Sequence, residues 1–388
     1  MTFELQVLQS LVEIDSTHWN QLLGSESGPF LRYEFLATLE ESGCVGAQTG
    51  WQTAHLVLRE TGNAAICAAM PLYLKRHSYG EYVFDWAWAE AYSQHGLQYY
   101  PKALCAIPFT PVQGGRLLAH SDEARSALVN GLKQLVIQNQ LSSAHVLFPL
   151  QIGLDALAHQ GFLIRKAVQF HWHNQQFINF EAFLASLNMK KRKNIRRERR
   201  IVAESGTTFK HLSGTAATIE DWQFFYRCYA NTYYQHHSTP YLNEAFFMQW
   251  AQRMPENLHL IIAKRNEQAI AASLLVVDRT APISTVYGRY WGCLESIPCL
   301  HFETAYYQAI DFCIKENIQL FEGGAQGQHK MARGFLPTTV QSAHWLADDR
   351  FLSAVELFLE RERQGISQYI DELAEHSPLR QNENLIIG

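Results

Sequence analysis

The chain carries two copies of one pattern, and this duplication limits what it can fold into more than any other feature. His55-Leu-Val-Leu and His259-Leu-Ile-Ile stand 204 residues apart. Ten residues after each His comes Ala65-Ile-Cys-Ala-Ala-Met or Ala269-Ile-Ala-Ala-Ser-Leu, in the same register. Trp19 and Trp222, and Val83 and Val286, match at an offset of 203. Unrelated segments rarely hold one register from Trp19 to Val83. A chain of 388 residues is long enough for two domains of ordinary size.

Both halves give the same order of elements, α-α-β-β-β-α-β. In the second half, Ile219–Tyr234 and Asn243–Arg253 read as helices. Leu258–Ala263 and Ile270–Val277 are β-rich runs around a polar turn, and Ser284–Trp291 is a third strand. Phe302, Ala305, Tyr306, Ala309, Ile310 and Cys313 then recur at helical spacing, and Gln319–Glu322 follows as a short strand. In the first half, helices are expected near Thr17–Leu23 and Arg32–Glu41. Strands are expected at Ala54–Glu60, Ala64–Leu74 and Tyr82–Trp86, with Thr61-Gly62-Asn63 as a hairpin turn. The main helix is Asp122–Asn139, and a strand lies at His145–Phe148. At that helix the offset falls to 177 (Ile137-Gln-Asn-Gln against Ile314-Lys-Glu-Asn), so copy one holds 27 further residues. They are assigned to the aromatic, Pro-punctuated stretch 87–120, a length more often functional than idle.

The formal net charge of −5 excludes a generic nucleic-acid binder, but it hides an asymmetry. Lys190, Lys191, Arg192, Lys193, Arg196, Arg197, Arg199 and Arg200 crowd eight cations into eleven residues with one acid, Glu198, and the rest of the chain balances at −12. At 100° per residue most of these cations share one helix face, while Leu184, Leu187, Ile195 and Val202 form a narrow apolar stripe. Such a face suits polyanions: tRNA, CoA phosphates, lipid pyrophosphates or an anionic membrane. The candidate phosphate-binding residues are Lys193, Arg196, Arg197 and Arg200. Seven Cys without a C-x-x-C pair, no basic leader before an apolar core and no 18-residue apolar run lead to the expectation of a reduced, cytoplasmic protein without a membrane span. His171-Trp-His173 and His236-His237 lack carboxylates at ligand spacing, so no metal is expected.

Three segments carry a family resemblance: Phe109-Thr-Pro-Val-Gln-Gly-Gly-Arg; Tyr287-Gly-Arg-Tyr-Trp-Gly through His301-Phe-Glu; and Phe321-Glu-Gly-Gly-Ala-Gln-Gly-Gln-His-Lys-Met-Ala-Arg-Gly-Phe-Leu-Pro. With the repeated element order, they resemble the FemAB-like group of N-acyltransferases, tandem GNAT-fold relatives of the Fem enzymes that add amino acids to peptidoglycan precursors. The resemblance implies an α/β (α+β) chain of two tandem GNAT-like acyltransferase domains, each a mixed, mostly antiparallel sheet flanked by helices. The expected division is 1–165, with the insertion at about 87–120; 166–350, with the basic helix at 184–203; and a C-terminal helix and tail over 351–388.

It also implies transfer of an acyl or aminoacyl group from a phosphate-bearing carrier to a small-molecule or peptide amine. No Q/R-x-x-G-x-G/A run precedes either main helix, so both acyl-CoA and aminoacyl-tRNA stay open as carriers. Acyl transfer to an amine needs a base for the amine proton and donors for the oxyanion. The catalytic candidates are Glu322 or His329 as base, Tyr287 as acid for the leaving group, and Glu303. The substrate-binding candidates are Gln326, Lys330, Arg333, Arg289, Trp291 and His301, with Gln113 and Tyr99 from copy one. A non-catalytic ligand-binding protein on the duplicated fold and a tRNA-associated protein are the alternative functions.

Overall fold

The computed structural model describes residues 2–62, 65–325 and 327–380. It contains two compact units that are interleaved along the chain. Unit 1 comprises Met1–Ala167, Tyr241–Arg253 and Thr339–Ser367; unit 2 comprises Val168–Pro240, Met254–Thr338 and Gln368–Gly388.

Unit 1 has two sheets. Strands β1 (Phe3–Leu8), β3 (His55–Glu60), β4 (Ile66–Met70) and β7 (Leu118–Ala119) form one of them. In the other, β2 (Trp51–Thr53), β5 (Leu72–Lys75), β6 (Lys102–Cys105) and β8 (Ser143–Leu147) follow in order and close on residues 342–346. Helices α1 (Ser16–Asn20), α2 (Tyr33–Glu41), α3 (Trp86–Gln94), α4 (Asp122–Gln138) and α5 (Gln151–His159) flank them. Ser121 caps α4 by accepting from the Ala124 amide. The helix buries Leu128, Leu132, Leu135 and Val136 against Leu56, Leu58, Met70 and Val146. The helix Glu244–Arg253 packs Phe246 and Trp250 on Phe35 of α2.

Unit 2 repeats this plan. β10 (Thr207–Ser213), β11 (Leu258–Arg265), β12 (Gln268–Asp278) and β13 (Thr285–Cys293) are antiparallel neighbours. β13 then pairs in parallel with β14 (Leu320–Glu322), which closes on the end of β9 (Leu163–His173) at His171–His173. The helices are α6 (Phe180–Ser186), α7 (Met189–Glu204), α8 (Ile219–Gln235) and a run over 300–315. The pairings match unit 1 closely. His55 opposes Leu8 and His259 opposes Ser213, each the last residue of its unit's first strand. β6 is antiparallel to β5 and parallel to β8, as β13 is to β12 and β14.

Three expectations need correction. Ala64–Leu74 is not one strand: Pro71 has no ladder N–H, and the strand breaks there into β4 and β5, which serve different sheets. Tyr82–Trp86 is not a strand either. Tyr82 sits at φ 64°, and Trp86 opens α3. The third strand of copy one is β6, so the Val83–Val286 match is not structural. The extra residues therefore precede the third strand in large part: the connection into β6 runs over 76–101, against 279–284 into β13. Lastly, the helix over 300–315 is interrupted by a π turn at Glu303–Tyr307. Asn63, of the expected hairpin turn, lies outside the described residues. No helix among the described residues is long and apolar enough to cross a membrane.

Candidate functional site

β13 and β14 stay paired for only three residues, Thr285–Leu320, Val286–Phe321 and Tyr287–Glu322, and then part. Each side of the parting has a local cause. On β13, Leu274 faces Tyr290 while Leu275 faces Gly288, so Arg289 bulges out of register. Beyond the bulge, α8 lies hard against the strand: Asn231 donates to the Cys293 carbonyl (2.7 Å) and Thr232 to that of Trp291 (3.0 Å). On the other side, Gly323 and Gly324 carry the chain away from β14. Gly324 has φ 78°, a backbone that favours glycine.

Glu322 ends β14 and is buried. Its Oε2 has no hydrogen-bond partner among the described residues. Loss of water pushes its carboxyl up from 4.5 to about 8, against a weaker opposing pull from the Arg289 guanidinium. Lys330 follows from the 3-10 turn Gln328–Arg333 and folds its stem over Gly323. Its ammonium donates to the carbonyls of Gly324 (2.9 Å) and Ala325 (3.3 Å), and it is 2% exposed. Desolvation, then repulsion from Arg289, lowers it to about 8. A buried acid and a buried amine are thus both brought near neutrality on one short loop.

Aromatic rings meet at the start of helix 300–315. Trp291 meets His301 in a tilted ring contact (centroids 4.5 Å, 44° between planes), and burial lowers the His301 imidazole to about 4. His329 is exposed, and the Tyr306 hydroxyl lies 3.3 Å from its Nε2. Unit 2 therefore assembles Tyr287, Arg289, Trp291, His301, Glu322, His329 and Lys330 on β13, the start of helix 300–315 and the segment after β14.

Glu303 and Arg333 are tied into a neighbouring ionic cluster. Arg199 of α7 holds the Glu303 carboxylate (3.1 Å), and Gln308 donates to it (2.7 Å). Arg333 bridges to Glu198 (3.1 Å) and lies 3.4 Å over the Phe302 ring. Tyr307 also donates to Glu198. Glu198, Tyr306 and Tyr307 join the site residues that spacing and motif point to. Glu198 carries a signal of its own, as the single acid in a basic run. Lys193, Arg196, Arg197 and Arg200 line the exposed face of α7. Gln326 lies outside the described residues. Among the described residues no group of three or more His, Cys, Asp or Glu side chains is set to hold a metal ion.

Unit 1 fills the matching place differently. Its last parallel pair is Cys105–Val146, where unit 2 has Tyr287–Glu322. Both side chains are fully buried. Arg116, from the segment beginning at Phe109, is 1% exposed and donates to the carbonyls of Leu147 (2.9 Å) and Val112 (2.6 Å). Gln113 is half-buried in the same segment. The Tyr99 hydroxyl donates to Asp85 (2.6 Å) and lies 3.0 Å from His145. Asp85 in turn accepts from Lys102, which is fully buried and also donates to Glu81 and Ser78 (2.8 Å each). Tyr99 is thus part of a buried ionic network, in which Glu81 Oε1 and Asp85 Oδ1 have no hydrogen-bond partner among the described residues.

Comparison with known proteins adds the following. The model of the FemAB-like family, described as peptidoglycan biosynthesis/recognition, matches residues 10–381. A search of curated proteins finds no match. Among solved structures, the C-terminal domain of a protein described as a lysylphosphatidylglycerol synthetase from Agrobacterium fabrum is similar at TM-score 0.55 and 10% identity, over 90% of this chain and 97% of that one. FemX is similar at TM-score 0.54 and 11% identity, over 91% and 100%. A protein of unknown function from Bacteroides thetaiotaomicron gives 0.51 and 11%, over 88% and 99%. At these identities the likeness establishes the fold, which is the tandem GNAT-like α/β architecture.

Proposed function

The chain belongs to the FemAB-like family, and we propose that it is an acyl- or aminoacyltransferase whose reacting centre lies in unit 2, where β13 and β14 part. The observation that carries this reading is Glu322, a buried carboxyl with an oxygen unpartnered among the described residues, at the last paired position of β14. An unpaired buried oxygen is costly unless the group has a use: Glu81 and Asp85 of unit 1 each carry one, and both carboxyls hold the Lys102 ammonium. A transferase has a use for Glu322: a group poised near neutral pH takes a proton from an amine most effectively.

The step balances with residues of this unit. The acceptor amine attacks the acyl carbonyl carbon and a C–N bond forms. The proton lost by nitrogen passes to the Glu322 carboxylate. The carbonyl oxygen collects negative charge, which hydrogen-bond donors beside the β13 bulge would stabilise. The bond to the carrier oxygen or sulfur then breaks, and Tyr287 protonates that leaving group. Lys330 and Arg289 supply positive charge for a carboxylate or phosphate of either substrate, and Trp291 with His301 offers an apolar wall.

The cysteine and valine at the matching place in unit 1 support unit 2 as the reacting unit. The family's description supports a peptidoglycan-type acceptor, and the A. fabrum protein, by its name, supports an aminoacyl group and a lipid acceptor. The test supplies radiolabelled acetyl-CoA and alanyl-tRNA in separate reactions, each with muropeptide acceptors. Transfer by the native chain from either carrier, lost in a folded Glu322→Gln variant, supports the reading. Equal transfer by that variant removes Glu322 from the chemistry.

A further inference from the structure

We infer that the outer face of α7 docks the protein on an anionic bilayer surface. The inference does not rest on the transfer reading, and it can be measured without any transfer.

The helix divides its side chains cleanly. Asn188 caps it, and Ile195 and Val202 are each 1% exposed against the body of unit 2. The single acid within the basic run is turned away from the surface, because Glu198 is engaged by Arg333 and Tyr307. The only carboxylate partners of the outer cations among the described residues are Glu181, 2.6 Å from Arg196, and Glu204, 3.7 Å from Arg200. Lys190, Lys193 and Arg197 are exposed and have no carboxylate within ion-pair distance among the described residues. The result is a cationic face on a protein whose remaining residues are net acidic.

Charge alone does not separate a bilayer from RNA; Met189 does. On a wheel of 100° per residue it falls at about 260°, in the middle of the arc that holds Arg192, Lys193, Arg196 and Arg200. Its side chain is 70% exposed. Ile178, 87% exposed, stands just before α6, and Glu181 of α6 is the residue that bridges to Arg196. A phosphodiester backbone gains nothing from a bare thioether among its cations. An anionic bilayer gains from both, since lipid phosphates meet the Lys and Arg heads while the apolar side chain enters the interface. Because the apolar stripe of α7 is already buried in unit 2, the helix lies on the surface through its charged face and does not sink into it.

The test is co-sedimentation of the full chain with vesicles of phosphatidylglycerol and, separately, of phosphatidylcholine, at several salt concentrations. Sedimentation with the first alone, weakening as salt rises, is expected. The variant Lys193→Gln/Arg197→Gln/Arg200→Gln should bind about a hundredfold more weakly, at roughly fivefold per cation. Met189→Ser should weaken binding several-fold at high salt, where charge is screened. All four side chains are exposed, so unchanged thermal melting of both variants confirms folding. Failure to sediment with phosphatidylglycerol overturns the inference. So does tighter binding of a transfer RNA than of the vesicles, with no effect of Met189→Ser, which would make the face an RNA site.

Discussion

Replacing Glu322 by Gln keeps the side-chain shape and removes the ionisable group, so its effect on stability must depend on pH in a particular way. Burial holds the folded carboxyl at about 8 against an ordinary 4.5. Below about pH 4.5 it is protonated in both the folded and the unfolded chain, and ionisation costs nothing. Between 4.5 and about 8 the folded chain keeps a proton that the unfolded chain has lost, so stability falls by about 1.4 kcal/mol per pH unit. Above about 8 the loss levels off near 5 kcal/mol. Glu322→Gln should therefore match the native chain near pH 5, apart from a constant offset, and exceed it by about 3 kcal/mol at pH 7 and about 5 at pH 9. Hydrogen-exchange protection of the peptide containing β14, corrected for the intrinsic rate at each pH, reads the stability of that unit directly. A difference between the two proteins that stays constant from pH 5 to 9, or that grows toward acid, refutes the argument. Either result would mean that the carboxyl is solvated or paired in solution, and its claim to be the base would go with it.

The same group sets the pH profile of transfer, which should rise through about 8 as the Glu322 carboxylate forms, with a loss of roughly 10²- to 10⁴-fold in Glu322→Gln above that pH that shrinks toward acid; a flat profile would assign the proton elsewhere. Gly292→Ala should prevent unit 2 from folding, since the added Cβ would lie 1.9 Å from the Cys228 carbonyl oxygen of α8; soluble variant with native circular dichroism would contradict the tight packing of α8 on β13. Lys102→Met should destabilise unit 1 by about 3–5 kcal/mol in urea unfolding, because Asp85 would be left a buried carboxyl without its cation and Glu81 would keep only Lys75, 3.9 Å away. An unchanged midpoint would mean that water reaches the network.

The repeat made the element order legible because apolar spacing survives in both copies. The helices Ile219–Gln235 and Asp122–Gln138 and the strands β11, β12 and β13 stand within a few residues of where periodicity put them. The misreadings have definite causes. β6 begins with Lys102, and a lysine in a four-residue run argues against a core strand unless its partners are known. Those partners, Glu81 and Asp85, lie 21 and 17 residues upstream, where no spacing rule connects them. Tyr82–Trp86 is rich enough in β-branched and aromatic residues for a strand, but its backbone turns left-handed at Tyr82 and Asp85 is drawn to Lys102. In the basic run, sequence gave the cationic face but not the inward turn of Glu198, which depends on Arg333 and Tyr307 more than a hundred residues further on.

The two copies also explain why one fold can hold chemistry in one place and not in another. Where paired strands of a sheet part, backbone amides and carbonyls lose their ladder partners and must find others. Unit 1 satisfies this demand from within: Arg116 reaches the Leu147 and Val112 carbonyls, and the flanking Cys105 and Val146 bring no charge that needs an answer. Unit 2 replaces them with a tyrosine and a glutamate and sets glycines beside them. The loop then comes close enough for Lys330 to cover Gly323, yet nothing among the described residues bonds the second Glu322 oxygen. Stability alone would favour the unit 1 solution in both copies, because an unanswered buried carboxyl is a standing cost. On the proposed reading, unit 2 retains that cost for chemistry: the ionised fraction of Glu322, which grows toward pH 8, takes the proton that an amine loses when it is acylated.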